Sequence, residues 1–288
     1  MWFLYAVGAA VFAALTTILA KIGIKNVDSH LATAIRTVVV LVFAWLMVFV
    51  VGSQGDIFYI QGRTWVFLIL SGLATGGSWL CFFRALQLGN VNKVVPIDKS
   101  STILTMILAF IFLSEPLGWI TAAGMLLMGA GTWMMLELKK DNNNAAGKGW
   151  LLFALLAAVF ASLVAVFGRV GVAGMDANLW TAIRTMVVVP LSWLMVFITG
   201  RQNKEAQKTI DRKSWVFLIL SGVATGASWL FFYHALQLGN ASHVVPIDKL
   251  SIVLTMGFAR LFLGERFTKR SIAGLGLLTI GTLVPIFI

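Results

Sequence analysis

The stretch Val94-Val95-Pro96-Ile97-Asp98-Lys99 stands at the start of a long apolar segment, and the same six residues recur as Val244-Val245-Pro246-Ile247-Asp248-Lys249. Each copy places a proline, an acid and a base beside residues that are otherwise apolar. Charges in such a setting are costly in a lipid bilayer unless they are paired or face a polar cavity. We therefore interpret the hexapeptide as the working end of a unit that the chain contains twice.

The composition is that of a membrane protein. Of the 288 residues, 59% are hydrophobic and 11% are charged, whereas a water-soluble domain carries about 25% charged residues. The apolar residues also form blocks of roughly 20, which as helix span about 30 Å of hydrocarbon. The sequence thus predicts an all-α integral membrane protein.

Ten such blocks predict ten transmembrane spans in two sets of five. Their predicted bounds are 2–22, 30–51, 64–84, 94–113, 117–137, 149–170, 178–199, 214–234, 244–263 and 270–288. The polar, Asn-rich stretch 139–148 is the one linker-like segment in the chain. We therefore predict a first five-helix repeat over 1–138, a linker over 139–148 and a second repeat over 149–288.

The two sets of five are copies of each other. Residues 65–72 recur as 215–222, and residues 85–90 recur as 235–240. Because five is an odd number, the second copy must enter the membrane upside down relative to the first. This predicts an inverted-topology repeat, the architecture of many secondary transporters.

The loop charges predict the orientation. Basic residues that occur at matching positions of the two repeats do not indicate the orientation, because inversion puts them on opposite sides of the membrane. With the exception of Arg63, the unmatched ones fall in loops one, three, five, seven and nine: Lys25, Lys93, Lys139, Lys140, Lys148, Arg201, Lys204, Lys208, Arg212, Lys213, Arg266, Lys269 and Arg270. By the positive-inside rule the linker is cytoplasmic and both termini are extracytoplasmic, in the cell (inner) membrane. The net charge of +11 therefore reflects topology, and we expect no nucleic-acid partner.

The hexapeptides, the turns 112–116 and 262–266, and the glycines Gly124 and Gly274 carry a family resemblance. The chain resembles the drug/metabolite transporter superfamily, EamA-like branch, and looks like a tandem fusion of two half-length, five-helix members. The resemblance implies an exporter or exchanger of small metabolites, with a central cavity lined by spans one to four and six to nine. The predicted termini depart from the cytoplasmic ones usual in ten-helix relatives. Residues 10–14 and 158–162 also lack the acid that related multidrug exporters carry in their first span.

The charged residues form two predicted polar clusters, one at each mouth of the protein. These gate or substrate-binding candidates are Arg36, Arg84, Asp98 and Lys99, with the counterparts Arg184, His234, Asp248 and Lys249. If the clusters are gates, each one closes its mouth of the protein when its residues form ion pairs. The alternative is that the pairs are static and only neutralise charge. The lysines could also bind a substrate carboxylate, and together with the neighbouring aspartate they could bind a zwitterionic amino acid. The alternative is that each lysine extends its ammonium group to the membrane surface and binds no substrate.

Further residues are predicted to line the cavity. The candidates are Trp79, Trp229, Ser101, Thr105, Ser251 and Thr255. Interfacial anchoring is the alternative for the tryptophans, and bonding to the helix backbone for the hydroxyls. Pro96 and Pro246 are predicted at a helix start, where the missing N–H costs little. If the helix begins earlier, the proline leaves a carbonyl unpaired.

The sequence therefore predicts a secondary transporter that exports or exchanges an amino-acid-like metabolite by alternating access. An organic-cation exporter, a lipid scramblase and an engineered fusion made to study folding are the alternatives. We expect no enzyme activity, cofactor or metal, because no nucleophile elbow, metal-ligand spacing or phosphate-binding loop occurs. The expected partners are the lipid bilayer and a small-molecule substrate, and we expect a monomer because both repeats lie in one chain.

Overall fold

The computed structural model describes residues 1–23, 27, 29–88, 97, 100–116, 118–135, 149–200, 210–263 and 268–287. Within these ranges the chain is helical and has no strand. The predictions for Pro96, Asp98 and Lys99 and for the linker 139–148 fall outside the described residues.

Each predicted block contains a described helix. The first half contains α1 (Trp2–Gly23), α2 (Ser29–Val51), a 3₁₀-helix (Ser53–Tyr59), α3 (Gly62–Leu88), α4 (Ser101–Leu113) and α5 (Trp119–Met135). The second half contains α6 (Gly149–Val172), α7 (Ala177–Gly200), α8 (Arg212–Leu238), α9 (Ala241–Lys249), α10 (Ser251–Leu263) and α11 (Lys269–Phe287). Among the described helices, α1, α2, α3, α6, α7 and α8 are long and apolar enough to cross a membrane. The other predicted spans correspond to shorter helices.

The predicted ninth span is two helices, and this corrects the sequence expectation. Helix α9 begins at Ala241, so Pro246 lies inside it rather than at its start. A proline within a helix leaves the carbonyl four residues before it without its usual N–H donor. The helix ends three residues later, where the Leu250 amide donates to the Ile247 carbonyl at 2.9 Å, and α10 follows.

The helices of one half pack against equivalent helices of the other. Helix α1 packs on α8, and its counterpart α6 packs on α3, so the same contact occurs with the halves exchanged. Helix α2 packs on its counterpart α7, and α5 packs on its counterpart α11. A methyl group added at Gly239, just after α8, would lie 3.0 Å from Trp2 at the start of α1, and one at Gly23 would lie 3.2 Å from Leu218 near the start of α8. Helices α1 and α8 therefore run antiparallel.

Glycines allow α5 and α11 to pack closely. A β-carbon at Gly131 would lie 2.5 Å from the Gly274 carbonyl oxygen, and one at Gly281 would lie 2.7 Å from the Gly124 carbonyl oxygen. The backbones of α5 and α11 are in contact here, because small residues allow membrane helices to approach closely. Helices α5 and α11 thus form a close seam between the two halves.

A serine on α3 and the matching serine on α8 each donate a hydrogen bond to the first helix of the opposite half. The Ser228 hydroxyl donates to the Ala9 carbonyl at 2.9 Å, and the matching Ser78 hydroxyl donates to the Ala157 carbonyl at 3.1 Å. Such interhelical hydrogen bonds supplement packing between membrane helices. The same pairing in both halves frames a space between them.

Candidate functional site

Two adjoining cavities lie between the halves. The smaller, of about 320 Å³, we call the arginine cavity, and the larger, of about 690 Å³, the apolar cavity. Both are lined by Ala13, Asp248 and Lys249, so they adjoin at the break between α9 and α10. The arginine cavity is walled by polar and aromatic residues that include Thr75, Ser78, Ser101, Arg184, Trp229 and Tyr233. The apolar cavity is walled by residues that include Ile103, Met128, Trp133, Ile252 and Leu278.

Arg184 is the central group of the arginine cavity. It is 2% exposed, and its Nε and Nη2 donate to Ser71 Oγ at 3.0 Å and Thr75 Oγ1 at 2.5 Å. Its guanidinium carbon lies 5.0 Å from the ring centre of Trp229 and 5.3 Å from that of Tyr233. Nη1 is buried and has no hydrogen-bond partner among the described residues. A buried cation with an unused donor beside a cavity is equipped to bind an anion.

Asp248 and Lys249 form an ion pair where the two cavities adjoin. Lys249 Nζ lies 3.8 Å from Asp248 Oδ2, and the two side chains are 39% and 19% exposed. The sequence places these neighbours about 100° apart on one continuous helix. Both lie in the last turn of α9, and their side chains approach each other there. The arginine cavity thereby presents an acid and two bases from its described lining.

All six of the predicted lining residues line these cavities. Trp79, Trp229, Ser101 and Thr105 line the arginine cavity, and Ser251 and Thr255 line the apolar cavity. The Thr105 hydroxyl also donates to the Ser101 carbonyl at 2.8 Å, the backbone bond expected of a helical threonine.

Three of the predicted charged residues lie elsewhere. The His234 ring stacks on Tyr5 at 5.3 Å and its Nδ1 lies 3.0 Å from the Leu230 carbonyl, so it faces α1 rather than Arg184. Arg84 is exposed near the end of α3. Arg36 donates from Nη2 to Thr225 Oγ1 at 2.9 Å, the counterpart of the contact between Arg184 and Thr75.

Two features of the site were missed from sequence. Arg184 donates to Ser71 and Thr75, which lie four apart on α3. The same pair recurs on α8 as Ser221 and Thr225, of which Thr225 accepts from Arg36. Their repetition beside the matched arginines is a usable signal. The second feature is Glu115, which was noted for the family resemblance but given no role.

The fold and the cavities define the class: a multi-pass membrane protein whose two homologous halves enclose a shared polar and apolar space, as in a transporter. The chain belongs to the EamA-like transporter family, whose model matches residues 1–137 and again residues 148–287. It is thus a membrane transporter, and the resemblance to the drug/metabolite transporter superfamily as a tandem of two units is confirmed.

Two relatives each match about half of this chain. The chain is 44% identical over 137 residues to an uncharacterized transporter in the cobO 3' region of a Sinorhizobium species, covering 48% of this chain and 96% of the relative. It is 25% identical over 139 residues to an uncharacterized protein of Methanocaldococcus jannaschii, covering 46% and 93%. A solved crystal structure shares the fold, with a TM-score of 0.78 at 16% identity over 97% of this chain and 94% of the other.

Proposed function

We propose that the protein is a secondary transporter that exports or exchanges a small zwitterionic, amino-acid-like metabolite by alternating access. In this proposal ten crossings form two inverted five-helix repeats in the inner membrane, with the linker cytoplasmic and both termini outside. The antiparallel packing of α1 on α8, and the contacts that recur when the halves are exchanged, support the inverted arrangement. A monomer suffices, because one chain supplies both halves.

The observation that carries the proposal is the unused donor of Arg184 in a cavity shared with Asp248 and Lys249. A substrate carboxylate accepts hydrogen bonds from Arg184 Nη1 and from Lys249. A substrate ammonium group takes Asp248 as its partner. Burial of Arg184 strengthens such bonds, because the low local dielectric weakens screening. The adjoining apolar cavity accommodates the substrate's hydrocarbon part.

The same geometry argues against an organic-cation exporter. Aromatic faces bind cations, but those of Trp229 and Tyr233 are already next to the guanidinium of Arg184. The described charged lining also carries two bases and one acid. A cationic drug would meet a net positive charge there.

The test is a thermal-shift screen of the purified full chain against amino acids, sugar phosphates and organic cations, followed by counterflow in proteoliposomes. We expect an amino acid to raise the melting temperature and to show saturable flux that unlabelled substrate inhibits. Saturable flux of an organic cation alone would contradict the zwitterion assignment. Well-folded protein that moves no solute would contradict the transport proposal itself and favour a scramblase or a non-transporting fusion.

A further inference from the structure

Glu115 joins the two halves at one end of the protein. It lies in the turn between α4 and α5 and is 6% exposed. Its Oε1 accepts a hydrogen bond from the Ala241 amide and its Oε2 accepts one from the Ser242 amide, both at 2.8 Å. These amides belong to the first two residues of α9, in the other half.

This contact satisfies both partners. The first amides of a helix have no acceptor within the helix, and a carboxylate there is favoured by the helix dipole. Two bonds to the ionised oxygens leave neither partner unsatisfied in a buried place. Glu115 therefore fixes the beginning of α9 against the first half.

Helix α9 connects this contact to the central cavities. It runs nine residues from Ala241 to Lys249, a length of about 12 Å between its first and last residues at 1.5 Å each. Its last two residues, Asp248 and Lys249, line both cavities. A displacement of its first turn therefore changes the position of the Asp248–Lys249 pair.

We propose that Glu115 is a positioning residue that acts as a latch: while it caps α9, the mouth at this end of the protein is closed, and its release lets α9 move and that mouth open. The inference rests on the alternating access proposed above but not on the identity of the substrate. It assigns Glu115 no contact with the substrate.

The structure offers Glu115 a second set of partners. A further cavity of about 430 Å³ at this end is lined by Glu115, Asn240, Arg63 and Arg169. When α9 withdraws, the carboxylate exchanges two amide donors for guanidinium groups that face the same cavity. A buried charge that has partners in both arrangements permits two states of similar free energy, which a gate requires.

The test measures how fast a thiol beside the latch reacts. Ser242 is 4% exposed and its hydroxyl has no hydrogen-bond partner among the described residues, so S242C removes no side-chain bond and keeps the latch amide. The native Cys81 is replaced by serine in every variant. A second reporter, S100C, lies at an exposed position that lines the apolar cavity. Both are labelled in the full-length protein with a water-soluble maleimide, without substrate.

Two variants weaken the latch independently. E115Q replaces one acceptor oxygen by an NH₂ donor that opposes an amide donor. A241P removes the amide that donates to Oε1, and proline is tolerated at the first position of a helix. We expect either variant to raise the S242C labelling rate about tenfold while the S100C rate stays equal or falls. If E115Q is not recovered as folded protein, A241P carries the test.

A rise below fivefold at S242C in the folded variants overturns the latch. So does a parallel rise at S100C, because that result reports general loosening of the protein. Since no substrate is present, these outcomes are independent of the flux experiment, so a failure of the latch is distinguishable from a failure of the substrate assignment.

Discussion

Replacing Arg184 by methionine is expected to lower substrate affinity about 100-fold and to leave the melting temperature unchanged or higher. The loss of affinity follows from removing the hydrogen bonds to a carboxylate, since bonds to charged groups contribute about 1.5–3 kcal/mol each. The stability result follows from burial: a buried charge carries a desolvation cost of several kcal/mol, which an apolar side chain does not.

The hydroxyls that Arg184 contacts keep other partners in this variant. Ser71 Oγ lies 3.4 Å from the Val164 carbonyl and Thr75 Oγ1 donates to the Ser71 carbonyl at 2.9 Å. Affinity is measured by titration of the amino acid that gives the largest thermal shift. R212M, which removes an exposed arginine at the start of α8, is the control and should change neither quantity. A normal affinity in R184M would remove Arg184 from the binding site.

Substitution of Gly131 by alanine is expected to destabilise the protein by about 1–3 kcal/mol, the usual cost of overpacking. The added methyl carbon would lie 2.5 Å from the Gly274 carbonyl oxygen and 2.5 Å from the Leu278 amide nitrogen. These are backbone atoms, so no side chain can rotate away and α5 must separate from α11. G281A meets the Gly124 carbonyl at 2.7 Å and should act in the same direction.

The control for this prediction is G276A, which lies on α11. A methyl carbon there meets no atom within 4 Å, and alanine favours helix over glycine by about 0.5–1 kcal/mol. Unfolding in mixed detergent micelles should therefore show equal or greater stability for G276A and a clear loss for G131A. Equal stabilities for the two variants would mean that the seam between α5 and α11 is not closely packed.

The local features of this fold could be predicted from the sequence because they are written in neighbouring residues. Blocks of about 20 apolar residues specify the long helices. Glycines such as Gly131 and Gly281 leave a face on which another backbone can pack. The candidates Ser101 and Thr105 follow the hexapeptide closely in the sequence, and both line the arginine cavity.

The rest depends on contacts between residues far apart in the chain. Glu115, which caps α9, lies 126 residues before Ala241 in the chain. The sequence around Pro246 therefore could not reveal where α9 begins. His234 occupies the position that matches Arg84, yet its orientation is set by stacking on Tyr5 in the other half.

The central claim is that one five-helix unit occurs twice, in opposite orientations across the membrane. The matched asparagines Asn90 and Asn240 end the same repeated motif, so single cysteines at these two positions test it most directly. In a Cys81→Ser background, an impermeant thiol reagent added to intact cells should label N240C and should reach N90C only after the membrane is opened. Labelling of both cysteines from the same side would contradict the inverted arrangement.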